Sequence, residues 1–138
     1  MNNQEFYDKT MAHLRKQKVP SMSMAGDGAC AYRGAVVDGV PTMCAVGAHL
    51  PDSMFAGGIP DWNTESVAEL CRTKPEVAQI FEGVDASLMR TMQNLHDEAS
   101  NGDNERSYAR FEGAAFEMDA KCVALQFALV YTPPEETA

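Results

Sequence analysis

The sequence predicts an α+β fold: a mainly helical single domain with one β-hairpin in its N-terminal half and a long C-terminal helix. Three observations predict it. Apolar residues recur at helical spacing over residues 3–18 and again through most of 64–131. An Asp38-Gly39 pair lies between two β-compatible runs, a strong two-residue hairpin signal. The chain has 138 residues and shows no internal repeat or second boundary, which fits one domain large enough to bury a sizeable core.

In chain order, Phe6, Tyr7, Met11 and Leu14 mark helix 3–18, with Glu5 and Asp8 early and Arg15, Lys16 and Lys18 late, the order that suits the helix dipole; Pro20 stops it. Residues 21–28, SMSMAGDG, read as a linker. The hairpin is expected over 29–48 with Val37 opposite Val40. Extending that register sets Cys44 against Arg33 and Cys30 against Gly47, so the two thiols project from opposite faces. A loop, 49–63, follows with two Pro-Asp steps and the single tryptophan.

A helical bundle is predicted over 64–131. Val67, Leu70 and Cys71 mark a short helix, Pro75 opens another with Val77, Ile80 and Phe81, and Asp85 stands as the N-cap of a third with the stripe Leu88, Met89, Met92, Leu95, His96 and Ala99. SNGDN, 100–104, is the next turn. The last helix carries two apolar faces. Tyr108, Phe111, Ala115, Met118, Cys122, Leu125 and Leu129 form one; Phe116, Ala120, Val123, Phe127 and Val130 form the other, about 140° round. A helix of about 25 residues would run about 37 Å, long enough to lend its outer face to a second subunit, so a homodimer through this helix is expected. Pro133 and Pro134 end it, and 132–138 is a tail.

Twenty acidic against eleven basic residues give a net charge of −9. Residues 1–60 balance, with Glu5, Asp8, Asp27, Asp38 and Asp52 against Lys9, Arg15, Lys16, Lys18 and Arg33, so residues 61–138 carry the whole excess. Such a surface repels nucleic-acid phosphates and anionic lipid, and neither nucleic acid nor membrane is an expected partner. MNNQEFYDK has no secretory pattern, and the apolar run CVALQFALVY is about half a membrane span. Four cysteines without a C-x-x-C spacing fit reduced thiols in a cytoplasm.

Chemistry-bearing residues concentrate in CAYRGAVVDGVPTMCAVGAHLPD, 30–52. Cys30, Cys44, His49 and Asp52 offer metal-ligand types without close pairing, and no metal or cofactor is expected. Cys44 and His49 could form a thiol–imidazole pair, which leaves a Cys/His hydrolase open. No Gly-rich phosphate loop opens a helix, so NTP hydrolysis is not expected. An arginine within an apolar ribbon needs a partner, and Asp52 or Asp61 could supply it, pinning loop to hairpin; an anion is the other reading.

Cys30, Tyr32, Arg33, Gly34, Asp38, Gly39, Cys44, Ala45, Gly47, Pro51 and Asp52 give a Cys-x-Tyr-Arg-Gly, Asp-Gly, Cys-Ala-x-Gly, Pro-Asp pattern. In this the chain resembles a family of small uncharacterised proteins of tailed bacteriophages and prophages, over about its first 55 residues, with a weaker echo at Leu95-His96-Asp97. It departs from that family in a longer stretch between Gly34 and Cys44 and in its last helix. The resemblance implies a viral origin and a host-cytoplasm setting, and assigns no activity or catalytic residue. The expected function is a non-enzymatic phage accessory protein that binds a host protein or counters a host defence, through Tyr32, Arg33, His49, Asp52, Phe55 and Trp62. A nucleotide-type ligand binder, using Arg33 and the basic end of the first helix, is the alternative from another class.

Overall fold

The structure is a computed structural model and describes residues 1–24, 30–100 and 110–134, without the side chains of 99 and 100. Among the described residues it is mainly helical with one antiparallel hairpin. Helix α1 spans Asn3–Gln17, strands β1 and β2 Val36–Val37 and Val40–Pro41, and helices α2 to α5 Val67–Thr73, Pro75–Ile80, Ala86–Ser100 and Ala114–Gln126. Most of the 100–104 turn, Tyr108, part of the linker and the last four tail residues lie outside the described residues.

Local chemistry explains the helix ends. Asn2 accepts the Glu5 N–H at 2.8 Å while Glu5 reaches back to the Asn2 N–H, a capping box that starts α1. Lys18 ends it in the left-handed conformation, its N–H on the Leu14 carbonyl. Ser66 caps α2 and Pro75 opens α3. Asp85, just before α4, exchanges two hydrogen bonds with the Asn3 side chain, which docks the starts of α4 and α1 together. One contiguous apolar core draws on Phe6, Tyr7, Met11 and Leu14 of α1, Leu70, Val77, the Leu88–Leu95 stripe of α4, and Phe116, Ala120 and Val123 of α5. Each large apolar side chain buried there contributes roughly 1.5–3 kcal/mol.

The hairpin keeps the expected register, Val37 with Val40 and Val36 with Pro41, and its turn has φ of 50° at Asp38 and 79° at Gly39, which Asp-Gly tolerates. It is much shorter than 29–48 because other groups take its backbone. The Asn63 side chain accepts the Arg33 N–H and donates to the Arg33 carbonyl, and Ala35 donates to Met22. Cys30 bridges to Met22 instead of Gly47. Gly47 instead lies flush on Tyr32, where any β-carbon would come within 2.4 Å of the Tyr32 oxygen.

The C-terminal helix is also shorter than its apolar stripes. Phe111 is buried outside it, its N–H on the Lys18 carbonyl. At the other end Ala128 is left-handed, with φ of 55°, its N–H on Leu125 and the Leu129 N–H returning to Ala124. That closure normally uses glycine. Gln4 then accepts the Val130 N–H and donates to the Val130 carbonyl, so residues past the helix run along α1 in place of continuing it. One face of α5 packs inward; the other, Ala115, Met118, Cys122 and Leu125, is exposed, with Met118 at 61% and Leu125 at 72%.

Candidate functional site

Of the residues that sequence pattern singled out, Arg33 lies at the centre of a fastening. It is 5% exposed. Its Nη1 donates to the carbonyls of Gly47 at 2.6 Å and Tyr32 at 3.2 Å, its Nη2 donates to Leu50 at 2.8 Å and Asp52 at 3.1 Å, and its Cζ lies 4.2 Å from the Phe55 ring centre. The guanidinium therefore staples two backbone carbonyls of the loop to the segment that carries it, with a third bond to its own neighbour's carbonyl, and the Asp52 side chain, 99% exposed, adds a solvent-screened contact. Phe55, Trp62 and Tyr32 form a chain of ring contacts at 5.2 and 6.0 Å, with the Lys74 ammonium 5.3 Å from Trp62. Tyr32 is 4% exposed, so it and Arg33 are not exposed anchors.

His49 is drawn elsewhere. Thr10 donates its hydroxyl to the Phe6 carbonyl and so accepts from His49 Nε2 at 2.8 Å, which fixes the tautomer, while the ring stacks on Phe6 at 4.7 Å. Burial, then Lys9 and His13, push its pKa down to about 4. Cys44 has different partners. It accepts the Gly47 N–H at 3.3 Å, and burial pushes its thiol up to about 11. A thiolate–imidazolium pair does not form from these two side chains.

The structure instead brings Cys30 and Cys44 to one cavity, against the expectation that they diverge, and adds Cys71. The hairpin register that separated them ends at Thr42, beyond which the chain turns through Cys44 into a 3-10 turn. The cavity holds about 680 Å³. One wall is α4, through Ala86, Met89, Arg90, Gln93, Asn94 and Asp97; the second is 63–68 with Cys71; Cys30, Tyr32 and Cys44 close the third side. Burial also raises the Cys71 thiol and the Tyr32 phenol, whose hydroxyl is tied to the Glu65 carbonyl at 2.7 Å.

Asp97 is one of three charged residues of the lining, with Glu65 and Arg90. Burial pushes its carboxyl up, but hydrogen bonds from His96, Cys30 and Gln93 outweigh that and hold it below its ordinary value. Gln93 donates at 3.0 Å, and His96 Nδ1 lies 2.9 Å from the same oxygen. Among the described residues, Cys30, His96 and Asp97 bring three metal-ligand atoms within 4.8 Å of one another. Both imidazole nitrogens are committed, however. Nε2 accepts the Ser21 N–H at 2.9 Å, so Nδ1 carries the proton toward Asp97, and a cation would have to displace one of these bonds. The four candidate ligand residues that the sequence offered do not converge: His49 turns to Thr10 and Asp52 to Arg33.

Sequence reasoning missed Cys71, Gln93 and Asp97 as cavity residues. The available signal was the second face of α4, where Ala86, Arg90, Gln93 and Asp97 recur at helical spacing beside the Leu/Met stripe. Compared with known proteins, the chain matches no family model, no curated protein and no solved structure.

Proposed function

We propose that the protein is a non-enzymatic binding protein that holds a small organic ligand in the cavity between α4 and the 63–71 segment. The observation that carries this reading is the cavity itself. Its volume of about 680 Å³ falls in the range of ligand sites, and its surface is mostly apolar, with polar and charged residues making up about half of the lining. Cys44 and Cys71 are held as neutral thiols, which suits contact more than nucleophilic attack. In a host cell such a protein would act by sequestration, which joins the ligand reading to the phage resemblance.

A nucleotide is not the ligand this reading favours, because three of the cations offered to its phosphates are engaged: Arg33 on carbonyls, Arg15 on Glu117 and Lys18 on Glu112. The test is thermal unfolding against a chemically diverse ligand panel, with Ala68→Trp to fill the cavity. A ligand at a hundred times its Kd stabilises by about 2.7 kcal/mol. Wild-type stabilisation that disappears in Ala68→Trp supports the reading; stabilisation retained in that variant removes it.

A second reading has its own observation, the exposed stripe of α5. We infer that it covers a second copy of the chain. Asp119 and Lys121 flank the stripe on opposite sides, so a two-fold pairing with parallel helices sets Asp119 of each copy against the second copy's Lys121. Sedimentation should show a dimer that Leu125→Asp dissociates; a wild-type monomer at high micromolar concentration defeats this.

A further inference from the structure

We infer that the ligand of this cavity carries a positively charged amine or guanidine head on an apolar body, with the head held by Asp97. This rests on the cavity being a ligand site. Asp97 keeps 43% of its side-chain surface open although His96 and Gln93 both contact its Oδ1. Those contacts, with that from Cys30, fix its orientation before any ligand arrives. Among the described residues, two acids, Glu65 and Asp97, line the cavity against one base, Arg90, and the whole chain carries −9. The field at the mouth therefore concentrates cations.

The rest of the lining suits what such a head would be attached to. Val67, Ala68, Ala86 and Met89 give an apolar bed, and Cys44 and Cys71 add uncharged sulfur. Tyr32 adds a further apolar surface at the wall. An anionic ligand would meet Asp97 and Glu65 with Arg90 as its one charged partner.

The test uses three probes of one shape and different charge: tryptamine, tryptophol and indole-3-acetate, titrated calorimetrically into the full chain. Tryptamine should bind about ten- to a hundredfold more tightly than tryptophol, the usual gain of a charge-assisted hydrogen bond, and indole-3-acetate most weakly. Asp97→Asn should bring the tryptamine and tryptophol affinities together. Glu65→Gln, away from the His96 contacts, should narrow the gap in part and serves if the Asp97 variant does not fold. Equal binding of all three probes, or preference for indole-3-acetate, overturns the cationic class and leaves the cavity reading standing. No binding by any of them overturns this inference, while the diverse panel and Ala68→Trp judge the cavity separately.

Discussion

Replacing Arg33 by methionine tests what holds the 47–55 loop down. The side chain keeps its length and loses its donors. The Gly47 carbonyl retains the Leu50 N–H, but the Leu50 and Tyr32 carbonyls lose the charged donors at 2.8 and 3.2 Å. A buried acceptor left without a partner costs about 1–3 kcal/mol, and removing the buried cation returns part of its desolvation cost, so Arg33→Met should destabilise by about 3 kcal/mol. Arg33→Lys, with one compact donor group in place of a fork, should recover about half of that. Asp52→Asn removes only a solvent-screened pair and should cost about 0.5 kcal/mol or less. Urea unfolding at pH 7 gives all three from midpoint and slope. If Asp52→Asn costs as much as Arg33→Met, or Arg33→Met stays within about 0.5 kcal/mol of the parent, the arginine is an ion-pair residue and not a carbonyl staple.

Three further outcomes are expected. Ala128→Gly relieves a left-handed alanine, so urea unfolding should show a gain of roughly 0.5–1 kcal/mol; a loss would mean that the closure of α5 is not strained. His49, with a folded pKa of about 4 against an ordinary 6.5, binds its proton more readily when unfolded, so its contribution is full above pH 6.5 and lost as pH falls toward 4. His49→Gln should flatten the pH dependence of the unfolding midpoint over that window, by no more than about 3 kcal/mol, and an unchanged slope would assign the loss elsewhere. At pH 7.5 an aromatic disulfide reagent should modify exposed Cys122 quickly and Cys44 only at the rate of unfolding; fast native labelling mapped to Cys44 would contradict its buried, protonated state.

The helices were readable because their signals are local. Pro75 and Asp85 each mark a boundary within a few residues, as do the Asn2 and Ser66 caps that the pattern reading left unnamed, and the Leu/Met stripe of α4 buries the face that its periodicity predicts. The hairpin turn was readable for the same reason. What the pattern could not show was competition for backbone groups by distant side chains. Asn63 takes the ladder positions of Arg33, and Gln4 takes those of Val130, across 30 and 126 residues of sequence. Each substitution truncated an element that the apolar pattern extended. The cavity was missed for a related reason: it depends on where the shortened ribbon sends Cys44, and no local spacing encodes that.

The 30–33 segment gives these observations a common mechanical sense. Its Cys30 and Tyr32 side chains line the cavity, while Arg33 extends to the carbonyls of Gly47 and Leu50. Tyr32 is held at three points: its carbonyl by Arg33, its hydroxyl on Glu65, and its backbone against Gly47, which approaches too closely for any larger residue. The wall is thus set by contacts with Arg33 and Gly47 behind it and with Glu65 beside it, and rigid walls lower the ordering cost of binding. A conspicuous arginine that touches no ligand can then still govern affinity, by keeping the tyrosine where an apolar body would rest. The motif that looked like a surface grip acts one layer down, as the frame of the pocket behind it.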